Sequence, residues 1–534
     1  MAPPQQNNQV MLKQPIVLIT EQLSAEGLAI LRDGGAEVRE AIGQSPAVLT
    51  SLVGEANALI VRSKTAVDAT MLAAAPDLRV VARAGVGTDS IDVDAATRQG
   101  ILVLNTPDAS TIAVAEHTIA LMLAQSRHLT VASGRIAAGE WSSRGLAGSE
   151  LAGKTLGIIG LGRIGAAVAK RALALEMRLL ACDAFVSEAR AQAMGVTLVD
   201  FDELLARSDV ITIHAPLTPQ TRHLLGSREF AKMKAGASII NCSRGGLLDE
   251  DALLAALDSG HLASAALDVV ENEPPAHSRT WNLLQHSGVV ATPHMGAATR
   301  EAQIRIATDL CRDVLAVLRG SPPAAAVNAP VAPAVIRPFV LLADVLGRAY
   351  PQLTRQSRVP SFSLTLEGEL GAYDPTPCVA AFLAGLLAQV SDRRISTANA
   401  LTAAHEMGVV VEALAAPCQR GFTGALTVRG GDLVLAGTIV HGDRPRLVEI
   451  DGFEIEIAPH GPLLLTRHDD VPGIIGKVGT MLGDSGINVA TMTVARDDHG
   501  HALMMLAVDR EPSEIDLQRL RTIAGMTSVS HLTL

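Results

Sequence analysis

Three polar side chains stand at the ends of successive apolar runs in the middle of the chain. Arg244 follows the run IINCS, Asp268 lies in AALDV, and His294 ends VVATPH. Glu273 lies a few residues past Asp268. If these runs are parallel strands, their carboxyl ends share one edge of a sheet, and such an edge is where sheets of this kind bind ligands. The sequence therefore predicts that the four side chains face one site.

The types of these side chains suit removal of a hydride from an alcohol. Such a reaction needs a base for the hydroxyl proton, and His294 is the candidate because histidine titrates near working pH. A carboxylate such as Glu273 can fix the imidazole tautomer and stabilise its cation. Arg244 can bind a substrate carboxylate through two hydrogen bonds. A lone histidine is more often a core or surface residue, but this spaced set favours the catalytic interpretation.

A glycine-rich turn precedes the set. Gly160, Gly162 and Gly165 form GxGxxG between a predicted strand and a predicted helix, and Asp183 ends the next strand. The glycines permit a tight turn, close approach of a pyrophosphate, and packing of helix on strand, while the helix N-terminus offers free N–H groups to phosphate. A carboxylate at Asp183 accepts hydrogen bonds from ribose hydroxyls and repels a 2′-phosphate. An ordinary strand–helix turn is the alternative, but the motif predicts NAD as cofactor.

Alternating apolar runs and helical patterns position these residues. A first series has runs at residues 17–20, 58–62, 79–85 and 101–105. A second series begins near residue 155 with TLGIIG, RLLACD, VITIHA, SIINCS, SAALDV and VVATPH. Both series predict α/β domains with doubly wound parallel sheets. A helical pattern at residues 111–126 could bridge the two domains.

The C-terminal part of the chain has a different pattern. Residues 321–333 are rich in Pro and Ala and read as a linker. The region to about residue 459 mixes helical stretches with strands and predicts an α+β domain. The last 75 residues, from 460 on, read as strand, helix, strand, strand, helix, strand. That order is ferredoxin-like.

Composition excludes several classes of function. The chain has 534 residues, 48% hydrophobic and 19% charged, and a net charge of −11 without a basic block. These values argue for a globular, multidomain protein and against nucleic acid or an anionic membrane as partner. The five cysteines are widely spaced, so no zinc site or other metal site is predicted, and a reducing cytoplasm fits. The polar N-terminus does not resemble a signal peptide.

Four of the motifs carry a family resemblance. GLGRIG, NCSRGGLLDE, ALDVVENEP and TPHMGAAT are similar to the successive signatures of the D-isomer-specific 2-hydroxyacid dehydrogenases. The resemblance implies that Arg244, Glu273 and His294 are the catalytic trio and that Asp268 binds the carboxamide of NAD. The cofactor-binding residues it implies are Gly160, Gly162, Arg163, Ile164, Gly165, Asp183, Ala215, Pro216, Cys242, Ser243, Asp268, Gly296 and Ala297.

Closer features resemble the branch of this family that oxidises 3-phosphoglycerate to 3-phosphohydroxypyruvate in L-serine biosynthesis. VRSKT, RAGVGTDSID and NTPDAS are similar to the substrate loops of that branch. Two arginines there would suit a substrate with both phosphate and carboxylate, although surface charges at strand ends are the alternative. Trp141 resembles a tryptophan that packs into a neighbouring subunit, which implies a homodimer or homotetramer; a buried core tryptophan is the alternative. The implied substrate-binding residues are Arg62, Ser63, Arg83, Gly85, Val86 and Asn105.

The tail resembles an ACT domain, a small amino-acid-binding regulatory module. Its opening segment is HDDVPG, followed by Gly476. The resemblance implies L-serine as a possible effector, with His468, Asp470 and Asn488 as regulatory residues. A purely structural role in holding an oligomer together is the alternative.

The resulting organisation has five parts. We expect a disordered tail at residues 1–14, a substrate-binding domain at 15–107 and 299–328, an NAD-binding Rossmann domain at 108–298, an intervening regulatory domain at 329–459 and an ACT domain at 460–534. Two other functions stay open. The chain could be another D-2-hydroxyacid dehydrogenase, acting on glyoxylate, hydroxypyruvate or D-lactate, or a corepressor-like protein that senses NAD.

Overall fold

The computed structural model describes residues 14–276, 278–354, 356 and 359–534. The tail predicted for residues 1–14 lies outside the described residues except for its last residue. The chain divides into two compact units, one of Met1–Asn105 with Leu310–Leu534 and one of Thr106–Asp309.

The first unit begins with a parallel sheet and its connecting helices. Its strands pair in the order β2-β1-β3-β4-β5, where the elements are β1 (Ile16–Ile19), α1 (Ala25–Asp33), β2 (Glu37–Glu40), α2 (Pro46–Val53), β3 (Ala58–Val61), α3 (Ala69–Ala73), β4 (Val80–Arg83), α4 (Val93–Arg98) and β5 (Leu102–Leu104). Strands β1, β3 and β5 are buried throughout, so they read as continuous apolar runs. The apolar runs do not predict β2, because its sequence EVRE is polar and it lies at the sheet edge.

The second unit is a larger parallel sheet with helices. Its elements are α5 (Thr111–Ser126), α6 (Leu129–Ala137), β6 (Thr155–Ile159), α7 (Arg163–Ala174), β7 (Arg178–Cys182), α8 (Glu188–Ala193), β8 (Thr197–Leu198), α9 (Phe201–Arg207), β9 (Val210–Ile213), α10 (Ser227–Lys232), β10 (Ala237–Asn241), α11 (Glu250–Asp258), β11 (Leu262–Leu267), α12 (Ser278–Leu284) and β12 (Val289–Ala291). The strand order is β12-β11-β10-β9-β6-β7-β8, and all neighbours are parallel. The six predicted strands are present, and β8 is an additional short one. The order reverses at β6, which is where such sheets bind nucleotides.

Two long helices, α5 and α13 (Arg300–Leu318), lie near the chain boundaries between the two units. Helix α5 lies wholly in the second unit and packs on α7 and on strands β10 to β12, so it is not the bridge that its pattern allowed. Helix α13 instead passes from the second unit into the first at Asp309 and Leu310. The segment after α13 is tied to the first sheet, because Asn328 accepts a hydrogen bond from Val103 N at 2.8 Å and donates to Ile101 O at 2.9 Å.

The intervening region forms a mixed sheet with three helices among the described residues. Its elements are α14 (Arg337–Leu353), β13 (Ser361–Gly368), α15 (Thr376–Ala388), α16 (Ala400–Met407), β14 (Val410–Ala416), β15 (Gly424–Gly430), β16 (Leu433–Val440), β17 (Arg444–Ile450) and β18 (Phe453–Ile457), with the sheet order β14-β13-β15-β16-β17-β18. Helices α14 and α15 cross closely. A Cβ on Gly347 would lie 2.1 Å from Phe382 O, and one on Gly385 would lie 2.2 Å from Asp344 O.

The C-terminal module has the predicted βαββαβ order. Its elements are β19 (Pro462–Asp469), α17 (Ile474–Asp484), β20 (Val489–Arg496), β21 (His501–Val508), α18 (Glu514–Arg521) and β22 (Met526–Thr533), and the antiparallel sheet has the order β20-β21-β19-β22. This arrangement confirms the ferredoxin-like prediction.

The two faces of this last sheet have different neighbours. Leu464, Met504 and Leu506 pack with α17 and α18 in one apolar cluster. The opposite face joins the core of the intervening region, and its members are Leu463, Leu465, Ala495, Leu503, Met505 and Leu532. The intervening region and the C-terminal module therefore share one hydrophobic core.

Candidate active site

The three glycines of the predicted fingerprint differ in their surroundings, as expected of a dinucleotide loop. Gly160 has φ +90°, and a Cβ there would lie 2.7 Å from His214 O. A Cβ on Gly165 would lie 2.1 Å from Gly160 O, so only glycine lets α7 approach β6. Gly162 is the N-cap of α7 and has open space where its Cβ would be. That open position at a helix N-terminus fits a pyrophosphate.

Asp183 is fixed beside this loop by backbone groups. Its Oδ2 accepts a hydrogen bond from Leu161 N at 2.7 Å, and its Oδ1 accepts from Phe185 N at 2.8 Å and Val186 N at 3.1 Å. The carboxylate therefore stands next to the glycine loop at the carboxyl end of β7, which is the position expected for a group that binds a ribose. Arg163, at the start of α7, forms an exposed ion pair with Asp108 at 2.5 Å.

His294 and Glu273 are paired. Nδ1 of His294 lies 2.5 Å from Oε2 of Glu273, and Oε1 of Glu273 accepts a hydrogen bond from Val270 N at 3.2 Å. A carboxylate can only accept, so Nδ1 carries the proton and Nε2 is left as the basic nitrogen. Both side chains are partly exposed, at 46% and 35%. The pair therefore has the arrangement that the predicted general base requires, a solvent-accessible imidazole with its tautomer fixed.

The backbone at His294 is in the left-handed region, with φ +50°. Its N–H donates to Asp268 O at 2.8 Å and to Thr292 O at 3.0 Å. Non-glycine residues in this region are uncommon and persist where surrounding contacts hold them, often at functional sites. The loop after β12 is thus held in a shape that its own sequence does not favour.

Asp268 supplies much of that support. Its side chain is buried, and Oδ1 accepts hydrogen bonds from Thr292 Oγ1 at 2.6 Å, Met295 N at 2.8 Å and His117 Nε2 at 3.2 Å, while Oδ2 accepts from Gly296 N at 2.8 Å. Burial alone would raise the pKa of Asp268, but these hydrogen bonds outweigh it and hold the pKa below its usual value. Most of the acceptor capacity expected for a nicotinamide carboxamide is used by the protein. His117 and Thr292 were not predicted from the sequence.

Arg244 lies on the loop after β10. Its Nη1 donates to Ser243 O at 2.7 Å, and its carbonyl accepts from Asn241 Nδ2 at 2.8 Å. A Cβ on the next residue, Gly245, would lie 1.9 Å from Val270 C, so the arginine loop packs on the loop that leads to Glu273. The strands β10, β11 and β12 are neighbours in the sheet, and they bring Arg244, Glu273 and His294 to one edge, as predicted.

The remaining predicted cofactor residues lie around the same edge. Ala215 O accepts from Ser243 Oγ at 2.9 Å, which links the ends of β9 and β10. Pro216 O accepts from Thr221 Oγ1 at 2.7 Å. Cys242 is buried, and burial raises the pKa of its thiol to about 12, so it stays protonated and is not a nucleophile. Ile164 and Ala297 pack at the margin of the apolar cluster under α5 and α7.

The predicted substrate residues gather at the carboxyl ends of β3, β4 and β5 in the first unit. Asn105 Nδ2 donates to Val86 O at 2.7 Å, and Arg83 Nη1 donates to Ala84 O at 3.1 Å. Gly85 has φ +146°, and a Cβ there would lie 1.4 Å from Arg83 Nη1, so the arginine folds over the glycine. The three strands are adjacent, which places the six residues at one edge.

The loop of Arg62 and Ser63 has an acceptor that the sequence did not reveal. Oε1 of Glu21 accepts hydrogen bonds from Arg62 N at 3.0 Å, Lys64 N at 3.1 Å and Thr65 N at 3.1 Å. One carboxylate oxygen therefore fixes the loop, and the Arg62 guanidinium also donates to Gln22 O at 3.2 Å. Glu21 lies just beyond β1, with Thr20 between them, so its place after a neighbouring strand was the available signal.

Comparison with known proteins identifies the family. Residues 119–296 match the family model "D-isomer specific 2-hydroxyacid dehydrogenase, NAD binding domain", residues 335–451 match "D-3-phosphoglycerate dehydrogenase intervening domain", and residues 463–525 match the ACT domain. D-3-phosphoglycerate dehydrogenase of Synechocystis sp. is 39% identical over 96% of this chain and 93% of its own length. That of Archaeoglobus fulgidus is 39% identical over 97% of this chain and 100% of its own. The chain belongs to the D-3-phosphoglycerate dehydrogenase family.

Solved structures place the dehydrogenase part in the same superfamily. A glyoxylate reductase from Paecilomyes thermophila is 31% identical with a TM-score of 0.54, covering 59% of this chain and 99% of that one. A D-lactate dehydrogenase from Aquifex aeolicus, complexed with NAD and lactic acid, is 28% identical with a TM-score of 0.52, covering 57% and 96%. The NAD-binding domain of the family accounts for the Gly160 loop and Asp183, and the cofactor is NAD.

The predicted regulatory residues lie in the ACT domain, and they differ in how exposed their side chains are. His468 is 3% exposed, and its Nδ1 lies 2.9 Å from Asp469 O. Asp470 is exposed and forms an ion pair with Arg496 at 3.2 Å. Asn488 is also exposed. Of the three predicted regulatory residues, Asp470 and Asn488 are therefore exposed and His468 is buried.

Two features of the described residues concern other kinds of partner. Within them, no group of three or more His, Cys, Asp or Glu side chains could hold a metal ion. In the same residues, no helix is both long and apolar enough to cross a membrane. The five cysteines are free.

Proposed function

We propose that the protein oxidises 3-phosphoglycerate to 3-phosphohydroxypyruvate with NAD, the first step of the phosphorylated route to L-serine. The observation that carries this proposal is similarity to curated D-3-phosphoglycerate dehydrogenases over almost the whole chain, including the intervening domain. The glyoxylate reductase and D-lactate dehydrogenase structures align with only 59% and 57% of it.

The chemistry follows from the paired side chains of the second unit. Nε2 of His294 takes the proton of the substrate C2 hydroxyl, while Glu273 at Nδ1 stabilises the imidazolium that forms. Arg244 binds the substrate carboxylate and polarises the oxygen at C2. NAD, when bound, supplies the hydride acceptor. The C2 alcohol thus loses its hydroxyl proton to His294, and it would become the ketone once the bound cofactor accepted the C2 hydride.

The phosphate of the substrate needs a second cationic region. Arg62 and Arg83 stand at the ends of the adjacent strands β3 and β4. Glu21 fixes the loop that begins at Arg62, and the Arg83 side chain folds over Gly85. Guanidinium groups bind phosphate through paired hydrogen bonds. We infer that these two arginines select the phosphorylated hydroxy acid, with Ser63, Val86 and Asn105 lining the same edge.

The test is turnover by the full chain. NADH formation from 3-phosphoglycerate is expected in the unsubstituted protein and is expected to be lost in His294→Ala. Reduction of glyoxylate, hydroxypyruvate or pyruvate with no activity on 3-phosphoglycerate would instead assign another D-2-hydroxyacid dehydrogenase. Tight NAD binding without turnover of any of these substrates would favour the NAD-sensing alternative.

A homo-oligomer is proposed from an exposed apolar arm in the second unit. Helix α6 has no buried residue, and Leu129, Ile136 and Trp141 are 52%, 54% and 94% exposed. Contiguous exposed apolar side chains mark interaction sites. We propose that a second copy of the chain covers this arm, as the resemblance of Trp141 implied. Trp141→Ser is expected to lower the mass measured by light scattering from dimer or tetramer toward monomer.

L-serine is proposed as the effector of the ACT domain. Asp470 and Asn488 offer a carboxylate for an ammonium and an amide for a hydroxyl, and the turn at Gly473 begins α17 with free N–H groups for a carboxylate. Inhibition of the full chain by millimolar L-serine, lost in Asn488→Ala, is the expected result. Unchanged activity in L-serine would mean that the ACT domain has only a structural role.

The free cysteines fit our proposal of a cytoplasmic location.

A further inference from the structure

The imidazole of His117 contacts the side-chain carboxylate of Asp268. It lies on helix α5, and its Nε2 is 3.2 Å from Asp268 Oδ1 and 3.1 Å from Thr292 Oγ1. The His117 side chain is 16% exposed and that of Asp268 is 1% exposed, so the contact is screened little by water.

The available donors and acceptors show that the proton in this contact belongs to Nε2 of His117. Thr292 has one hydroxyl proton, and it points to Asp268 Oδ1, from which Thr292 Oγ1 is 2.6 Å distant. The carboxylate of Asp268 can only accept. Both oxygens that face Nε2 of His117 are therefore acceptors, so Nε2 carries a proton and donates to them. His117 is a donor that this network requires.

Asp268 in turn holds the general base from both sides. Its backbone carbonyl accepts from His294 N at 2.8 Å, and its carboxylate accepts from the two following amides, Met295 N at 2.8 Å and Gly296 N at 2.8 Å. These contacts bracket a residue whose φ is +50°. Without them the loop would relax toward a commoner backbone conformation and the imidazole would move.

We propose that His117 is a positioning residue for the general base, acting through Asp268 to keep the loop of residues 292–296, and with it the His294 imidazole, in its reactive orientation. The inference rests on the proposed function, because it assumes that His294 is the base. His117 touches neither Glu273 nor His294 in this network; its effect passes through the carboxylate of Asp268.

The bland alternative is that His117 only joins α5 to the sheet. Two variants distinguish this packing role from the positioning role. One removes the N–H donor at residue 117 but keeps a side chain of similar size, and the other keeps an N–H donor there. His117→Leu removes it, and His117→Gln keeps an N–H at about the same distance from the backbone. His261 is a matched control, because its Nε2 lies 2.9 Å from Phe230 O at the opposite end of β11 from Asp268.

Two readouts are measured on the full chain. The first is steady-state kinetics with 3-phosphoglycerate and NAD. His117→Leu is expected to lower kcat by about 10-fold or more, since a hydrogen bond to a charged acceptor is lost, with both KM values within about threefold. His117→Gln is expected to recover most of kcat, and His261→Leu to leave kcat unchanged.

The second readout does not need turnover. Hydrogen exchange of the peptide containing Met295 and Gly296 is expected to be faster in His117→Leu and near the unsubstituted rate in His117→Gln. Unsubstituted protein that fails to oxidise 3-phosphoglycerate overturns the proposed function, while the exchange experiment still reports on the loop. Normal kcat in His117→Leu, equal losses in the Leu and Gln variants, or unchanged exchange would overturn the inference.

Discussion

Nδ1 of His294 and Oε2 of Glu273 lie 2.5 Å apart, although the two residues come from loops that follow different strands. The pairing orients the imidazole, and it leaves Nε2 to face a substrate. The pairing supports the proposed role of this partly exposed histidine as the base, since an adjacent carboxylate stabilises the charged form that proton transfer creates.

The first prediction concerns this base. His294→Ala is expected to lower kcat by about 100-fold or more, because general-base catalysis contributes on that order. NAD binding, measured by fluorescence titration, is expected to stay nearly intact, since the glycine loop and Asp183 lie on other strands. His261→Ala is the control. Near-normal turnover in His294→Ala would remove this residue from its role.

The second prediction concerns cofactor choice. Asp183→Ala, combined with a basic residue nearby, is expected to relax the preference for NAD toward NADP, because the carboxylate no longer repels a 2′-phosphate. The measurement is the ratio of kcat/KM for the two cofactors. Asp183 also accepts from Leu161 N, so Asp183→Asn serves as a control that keeps an acceptor for the loop. Equal use of both cofactors by the unsubstituted chain would contradict this interpretation.

A third prediction addresses the substrate phosphate. Arg62→Gln or Arg83→Gln is expected to raise KM for 3-phosphoglycerate by about 10- to 150-fold, the effect of losing a charge-assisted hydrogen bond. KM for an unphosphorylated 2-hydroxy acid is expected to change much less. Lys64→Gln, in the same loop as Arg62, is the matched control. Equal effects on both substrates would mean that these arginines do not bind the phosphate.

The fourth prediction concerns acid sensitivity of the ACT domain. Hydrogen bonds from Ser485 and then Ser513 lower the pKa of Asp516 from 3.8 to about 2. Because the folded pKa lies below the unfolded value, the ionised carboxylate stabilises the fold above about pH 4, and this contribution is lost as the pH falls toward 2.

Asp516→Asn tests that sign. The protection of α18 amides against hydrogen exchange is expected to differ between Asp516→Asn and the unsubstituted chain at neutral pH, and the difference is expected to vanish near pH 2. Asp498→Asn, on the exposed turn between β20 and β21, is the control. A difference that stays constant from pH 7 to pH 2 would contradict the role of the Asp516 carboxylate.

The fifth prediction follows from the shared core. A fragment of residues 460–534 exposes the sheet face that packs on the intervening region, and burial of one such side chain is worth about 1.5–3 kcal/mol. Domains are stable by only about 5–15 kcal/mol. The fragment is therefore expected to bind a hydrophobic dye and aggregate, whereas residues 329–534 unfold in one sharp transition. A monomeric, cooperatively folded 460–534 would contradict the shared core. The side chains concerned are Leu463, Leu465, Leu503, Met505 and Leu532.

Much of this protein is readable from sequence because the signals are local. The apolar runs of the second unit predict six of its strands, since burial on both faces makes a parallel strand apolar throughout. The polar edge strand β2 carries no such signal and is missed. The glycine loop has a local signal because the turn itself requires glycine at Gly160, where φ is +90°, and at Gly165, where a Cβ would lie 2.1 Å from Gly160 O.

The candidate site combines local and distant signals. The positions of Arg244, Glu273 and His294 after successive strands predict that they share one edge, and the sequence by itself determined the cofactor and the family. Three other features involve residues that are far apart in the chain. These are the contact of His117 with Asp268, the hydrogen bonds of Glu21 to the Arg62 loop, and the hydrophobic core shared by the intervening region and the ACT domain. Only the tertiary structure decided these, because no local pattern records which distant donor meets a buried acceptor or which module covers a sheet face.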